Sequence, residues 1–271
     1  MIRRTSVAEF PQPLQQRFLR RPAEVTLPFP VTPRATSANI IPMTPPDALL
    51  DTLLKAWRFL YRRGFIEGFG HLSARLPDPE LFLLARHSLG QKAEADEFVT
   101  LDLKGRKVAG RGDPPAEMPI HLGIYQARPD IGSIVHYHGL YSTAFTTSEH
   151  RLRPIHLMGT LFSDGIPVYD DPRLVTDMSR GEALACALGS HRAVLLQAHG
   201  AAVTGGSVED CVAGAFLFEE NAQRAQLAAS MGTPRWIDPA TATAAGEELL
   251  RSRGPFRRVW SLVESEADDH R

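Results

Sequence analysis

The sequence predicts one α/β domain, with a mixed or antiparallel central sheet flanked by helices on both faces. Three observations predict it. Short apolar runs with strand composition alternate with amphipathic segments of helical period. The alternation does not repeat as strict βαβ units, which argues against an all-parallel sheet. After residue 43 no internal repeat and no linker-like composition interrupts the chain. With 271 residues and 43% hydrophobic content, the chain has apolar material for one substantial core or two small ones.

The elements follow in order. Residues 1–43 are rich in Pro and Arg without a sustained period, and are read as an irregular arm whose Phe18, Leu19, Leu27 and Phe29 suit packing on another surface; plain disorder is the alternative. Leu49, Leu50, Leu53, Leu54, Trp57 and Leu60 predict a helix over 44–63, with Pro45 and Pro46 in its first turn and Gly64 just beyond its end. Strands are expected over 71–76, 81–85, 98–102 and 106–108, the last two joined by a Lys104-Gly105 turn. A helix over 119–128 leads into a buried strand over 131–138, and a short helix is expected over 139–147. A helix over 174–188 precedes strands over 193–197 and 201–204, interrupted by His199-Gly200. The longest helix spans 207–231, capped by Ser207 with Asp210 in a capping-box place. Helices over 246–251 and 256–264 follow, and the polar end 265–271 is read as a frayed tail.

Composition excludes several function classes. A net charge of -1 gives no reason to invoke nucleic acid or an anionic membrane. No apolar run reaches the roughly 18 residues a membrane-spanning helix needs. The basic start MIRRTSVAEFPQPL lacks an apolar stretch, so a secretory signal is not expected. Two cysteines, Cys186 and Cys211, are too few for a disulfide framework and fit small core residues in a reducing cytoplasm.

The chemistry is carried by His136-Tyr137-His138 and His199-Gly200. Side chains alternate along a strand, so residues two apart share a face. An H-x-H pair therefore aims two imidazoles at one point, and a third from another segment completes a nitrogen set with a coordination position left open, the mark of a catalytic metal site. Glu117 opens the helix that precedes the H-x-H strand. A helix folded back on that strand brings its start beside the imidazoles, where a carboxylate near a cation can move protons. The glycine after His199 permits close backbone approach. His121, one turn past Glu117, is read as a surface residue or one standing behind the site. His156 is a weaker candidate to reach it, and Tyr137 is read as core.

Glu117, His136-x-His138 and Ala198-His199-Gly200, together with GIYQARPDIGSIVHYHG, resemble the class II aldolase/adducin family over most of the chain, from about Pro46 to Met231. The resemblance implies a three-layer α/β/α class II aldolase-like domain over 44–264. It further implies a divalent metal on His136, His138 and His199, a Glu in acid–base work, and a homotetramer with sites at subunit interfaces. The adducin branch, a non-catalytic assembly module, keeps the fold without the metal histidines, which are present here.

Two departures from the sugar-phosphate members bear on substrate. Their Gly-Asn-x-Ser loop is here Gly70-His71-Leu72-Ser73, and the hydroxyl residues before their glutamate are here Pro114-Pro115-Ala116. Proline offers neither N–H nor hydroxyl to a phosphate. His71, Ser73, Arg86, His87 and Ser88 are the candidate substrate contacts, with Arg75 read as a structural ion pair or a carboxylate clamp. The GHLSAR variant resembles the branch that decarboxylates hydroxylated aromatic acids, typified by 3-hydroxy-2-methylpyridine-4,5-dicarboxylate 4-decarboxylase of vitamin B6 breakdown, with dihydroxyphthalate decarboxylases a similar group. That resemblance implies a metal-dependent lyase acting on a small aromatic acid. Imidazole and carboxylate ligands suit Mn2+ or Zn2+, and the resemblance favours Mn2+. An aldolase or epimerase on a non-phosphorylated hydroxy-carbonyl compound is the alternative.

Overall fold

The structure is a computed structural model that describes residues 45–268. The expected arm over 1–43 lies outside the described residues, as do the last three residues of the tail. No helix among the described residues is long and apolar enough to cross a membrane.

Helix α1, Asp47–Arg62, buries Leu53, Ala56, Trp57, Phe59 and Leu60 along one stripe. The chain reverses at Gly64, where φ is +72°. Eight strands then build one sheet: β1 His71–Arg75, β2 Leu81–Ala85, β3 Phe98–Asp102, β4 Lys107–Ala109, β5 Ser133–Tyr137, β6 Val168–Tyr169, β7 Ala193–Leu196 and β8 Gly200–Gly205. Their spatial order is β4-β3-β2-β1-β5-β8-β7-β6. Every neighbouring pair is antiparallel except β6–β7, which is parallel, so the sheet is mixed, as expected.

Alternation along the strands divides the core in two. Leu72, Ala74, Val135, Tyr137, Ala201 and Val203 face one side, against α1 and the long α5, Val208–Met231, with α7, Gly254–Asp268, packed on both helices. Phe82, Leu84, Ile134, Val194 and Ala202 face the other side, with α2, Met118–Ala127, and α4, Met178–Leu188. The result is the expected α/β/α sandwich. Tyr137 is core, as its place between the two histidines implies. Cys211 is buried, but Cys186 is exposed on α4 rather than in the core.

Four elements depart from expectation for local reasons. Helix α4 starts at Met178, not at residue 174, because Asp177 caps it by accepting the Arg180 N–H and the Val175 N–H is taken by Glu117. Helix α6 spans Pro239–Ser252, longer than expected, because Asp238 accepts the Thr241 N–H and Pro239 stands in the first turn. Helix α7 continues into the segment read as a frayed tail, where Glu266 pairs with Arg62 of α1 and with Arg63 just beyond its end. Strand β6 is two residues long, too short to show a period.

Helices α2 and α4 meet through glycine. A Cβ on Gly181 would sit 2.4 Å from the carbonyl oxygen of Pro119, and one on Gly123 would sit 2.5 Å from that of Gly181. Alanine ordinarily gains about 1 kcal/mol over glycine inside a helix, but backbone cannot yield to a contact that short. Gly181→Ala is therefore expected to lower stability by about 1–3 kcal/mol, the usual cost of overpacking, which a thermal unfolding curve checks. This contact matters for function because α2 carries the candidate acid–base residue at its start.

Candidate metal centre

Strand β5 ends at the site. His136 lies within it, opposite His71 of β1, and is fully buried. His138 lies just past the strand end, half-buried. Their Nε2 atoms are 3.2 Å apart, so the pair converges as the two-residue spacing predicts, even though His138 has left the ladder.

The third imidazole comes from a hairpin. Strands β7 and β8 pair from Leu196↔Gly200 onward, leaving Gln197, Ala198 and His199 as the loop. Ala198 has φ +51°, a left-handed conformation that costs a non-glycine residue about 1 kcal/mol or more. Its N–H donates to Thr146 Oγ1, which holds the turn. Gly200 is required because a Cβ there would stand 2.3 Å from the carbonyl oxygen of Tyr137. The loop thus swings His199 to a ring-centroid distance of 4.9 Å from both His136 and His138.

Glu117 is the N-cap residue of α2. Its Oε2 lies 3.7 Å from His136 Nε2 and 3.5 Å from His199 Nε2. Its Oε1 accepts the Val175 N–H at 2.9 Å, which fixes the carboxylate plane. Glu117, His136, His138 and His199 each offer a ligand atom, and these atoms lie within 4.8 Å of one another.

The protonation states suit a cation. Burial pushes the His136 imidazole well below its usual range, so it is neutral with a lone pair to offer. Burial alone would raise the Glu117 carboxyl, but His199, His136 and the Val175 N–H outweigh it and hold it at about 2, so it is anionic. His136 Nδ1 lies 3.1 Å from the Ala201 carbonyl oxygen. That carbonyl can only accept, so the proton sits on Nδ1 and the Nε2 lone pair faces the cluster. Both ring nitrogens of His199 are buried without a hydrogen-bond partner among the described residues. An orphaned buried imidazole beside two others and an anion fits a divalent metal.

A cavity of about 420 Å³ opens against the cluster, with His71, Arg86, His87, Ser88, Glu117 and His138 in its wall. Pro115 and Ala116 also stand in that wall and bring no hydroxyl to it.

The profile of the class II aldolase and adducin N-terminal domain matches residues 51–226. The chain belongs to the class II aldolase and adducin family. The 3,4-dihydroxyphthalate decarboxylase of Terrabacter sp. (strain DBF63) is 32% identical over 209 residues, covering 72% of this chain and 87% of the relative. The 5-methylthioribulose-1-phosphate/5-deoxyribulose-1-phosphate aldolase of Escherichia coli O45:K1 (strain S88 / ExPEC) is 30% identical over 159 residues, covering 56% of this chain and 71% of that one. The solved L-fuculose 1-phosphate aldolase from Glaciozyma antarctica PI12 superposes with a TM-score of 0.72 at 23% identity, over 82% of this chain and 90% of its own, and shows the class II aldolase fold. Relatives in this family are thus decarboxylases and aldolases, which makes a carbon–carbon lyase the class of activity.

Within this candidate site, three expected roles change. Ser73 is fully buried, and its hydroxyl meets His121 Nδ1 at 2.7 Å and Tyr125 Oη at 2.8 Å. It therefore stands behind the cavity rather than in it. Arg86 lines the cavity, but its guanidinium is already engaged, with Nε 3.0 Å and Nη2 2.6 Å from Glu97 Oε1 and Nη1 donating to the His87 carbonyl. Among the described residues Arg75 forms neither clamp nor ion pair: its guanidinium donates to the carbonyls of Pro79, Tyr125 and Ile131 and lies over the Tyr125 ring. His87 and Ser88 remain exposed at the rim, bonded to each other at 2.8 Å. His156 caps a short 3-10 helix, accepting the Met158 N–H, and is not among the cavity residues.

The Arg86–Glu97 pair stiffens the cavity wall. Burial would push the Glu97 carboxyl up, but Arg86 and the Glu94 N–H hold it below its usual 4.5. A carboxyl with a depressed folded pKa adds stability that is full above the unfolded value and lost as pH falls through the folded one. Glu97→Gln is expected to cost about 2 kcal/mol near neutral pH, with the difference from wild type shrinking as pH falls below 4.5. Urea unfolding across that range reads it out.

Sequence reasoning places His121 at the surface or behind the site; it is fully buried between His71 and Ser73. Tyr125 escapes that reasoning altogether. The signal is there: Glu117, His121 and Tyr125 recur every four residues along one face of α2, and His71 and Ser73 share one face of β1.

Proposed function

We propose that the chain is a metal-dependent decarboxylase of a hydroxylated aromatic or pyridine dicarboxylate. The candidates are a dihydroxyphthalate and 3-hydroxy-2-methylpyridine-4,5-dicarboxylate. The observation that carries this reading is the cavity wall beside the metal cluster. Pro115 and Ala116 stand where phosphate-binding members offer hydroxyls, and His71 stands where they offer asparagine. The 3,4-dihydroxyphthalate decarboxylase relative supports it.

His136, His138 and His199 would hold the metal, with Mn2+ favoured and Zn2+ the alternative. When bound, the ion supplies Lewis-acid stabilisation for an oxyanion on the substrate. The protein's own part is proton handling. Anionic Glu117 takes the proton of the ring hydroxyl at Oε2, which its 3.5–3.7 Å approach to the imidazoles aims into the cluster. Glu117 passes that proton to the ring carbon bearing the carboxylate, using the electron density of the oxyanion. The carbon–carboxylate bond then breaks, its electron pair enters the ring π system, CO2 leaves, and the ring is restored as a phenolate that water reprotonates. A homo-oligomer, and a tetramer by family resemblance, belongs to the same reading. The exposed Phe69 and Leu140 beside His138 support it by offering apolar surface for a second copy to cover.

The test supplies each diacid with Mn2+ or Zn2+ and measures CO2. Release of CO2 from either supports the proposal. Its absence, with an aldehyde released instead from a hydroxy-carbonyl compound, selects the aldolase reading, which the aldolase relative from Escherichia coli keeps open.

A further inference from the structure

Four imidazoles crowd this site, yet only three belong to the compact cluster with Glu117. His71 is the fourth, its ring centroid 5.1 Å from that of His136. What separates it from the others is a chain of buried hydrogen bonds running away from the cavity. His71 Nδ1 lies 2.7 Å from His121 Nε2, His121 Nδ1 lies 2.7 Å from Ser73 Oγ, and Ser73 Oγ lies 2.8 Å from Tyr125 Oη.

The direction of the chain follows from counting protons. The Tyr125 hydroxyl is buried, and Ser73 Oγ is its one hydrogen-bond partner among the described residues. A buried donor left unpaired costs about 1–3 kcal/mol, so Tyr125 donates to Ser73. Ser73 then has one proton to place. Its choices are His121 Nδ1 at 2.7 Å and the Ile134 carbonyl at 3.5 Å, and the nearer acceptor takes it. His121 Nδ1 is therefore the bare nitrogen, and the His121 proton is on Nε2. That proton points at His71 Nδ1, which must accept it. The remaining proton of the His71 ring is on Nε2, the nitrogen with no partner among the described residues, on a residue that lines the cavity.

We propose that Tyr125, Ser73 and His121 form a positioning chain that locks His71 as an Nε2–H donor facing the cavity, where it binds an anionic oxygen of the substrate and stays out of the metal's ligand set. A protonated nitrogen has no lone pair to give a cation, which explains how four neighbouring histidines divide into three ligands and one donor. The substrate part of this proposal rests on the anionic aromatic acid proposed above; the tautomer does not. Substitution of asparagine by histidine in the Gly-x-x-Ser loop then keeps a donor at that place but makes its polarity depend on α2, through His121 and Tyr125.

The experiment uses the full chain with 15N-labelled histidine, free of metal and substrate, and reads tautomers by long-range proton–nitrogen correlation, with His71 assigned by its loss in His71→Gln. The expected result is a protonated Nε2 and a bare Nδ1 on both His71 and His121; a proton on His71 Nδ1 overturns the proposal. Adding Zn2+ is expected to shift the His136, His138 and His199 rings while His71 keeps its Nε2 proton; loss of that proton to zinc overturns it. Ser73→Ala is expected to populate the reversed His71 tautomer and Ser73→Thr to restore the wild-type one, whereas an unchanged tautomer in Ser73→Ala overturns the chain as its cause. If Ser73→Ala does not fold, Tyr125→Phe is read the same way, a reversed fraction supporting the chain and none overturning it. A failed CO2 assay with the wild-type tautomer intact would reject the decarboxylase reading and leave this one standing.

Discussion

Replacing His138 with alanine is expected to strip the chain of metal and of activity together. Removing even an outer partner of a metal ligand costs about 10–100-fold in affinity. Removing one of three nitrogens costs more, so the loss is expected to exceed about 100-fold. Elemental analysis after loading with Mn2+ or Zn2+ and desalting should find about one ion per wild-type chain and less than a tenth of that in His138→Ala. This position makes the cleanest test of the three. His138 lies past the end of β5 and is half-buried, whereas His136 is in the ladder, fully buried and tied to Ala201. His138→Ala should therefore unfold at nearly the wild-type temperature, separating metal loss from fold loss. Full metal content in this variant would remove His138 from the ligand set.

Replacing Glu117 with glutamine is expected to lower CO2 release by roughly a thousandfold, within the range that general acid–base groups contribute. The amide side chain of Glu117→Gln keeps the shape and can still accept the Val175 N–H through its oxygen. It cannot take the proton of a ring hydroxyl and return it to carbon. The metal measurement divides two roles. Activity lost with metal retained makes Glu117 the proton carrier alone; metal lost as well makes it a fourth ligand. Undiminished activity would take Glu117 out of the mechanism.

The candidate metal cluster is readable in the sequence because each part of it is set by short-range backbone geometry. A two-residue spacing at a strand end converges two rings whether or not the second residue stays in the ladder. A glycine after His199 marks a turn where no Cβ fits against Tyr137. A carboxylate at the start of a helix that returns along the next strand has one place to go. The same reasoning locates every strand of the sheet but the two-residue β6, since alternation is local, and misjudges the start of α4, where a side chain from another element, Glu117, takes the Val175 N–H.

The surroundings of the cluster are a different matter. By residue type Arg86 suits a substrate carboxylate, but Glu97, eleven residues on, occupies its guanidinium. Ser73 suits a substrate contact, but burial places it behind His71. His121 reads as peripheral, but the packing of α2 on β1 encloses it. Each of these depends on which polar group lies opposite, across elements some 50 residues apart in the case of His71 and His121. The sequence alone determined the α/β fold, the three candidate ligand histidines and the glutamate beside them, because periodicity, turns and strand-end spacing are properties of neighbouring residues. Which polar groups are already spent on one another is settled by packing, because a hydrogen bond between distant segments exists only once packing has removed the water that would otherwise satisfy both partners.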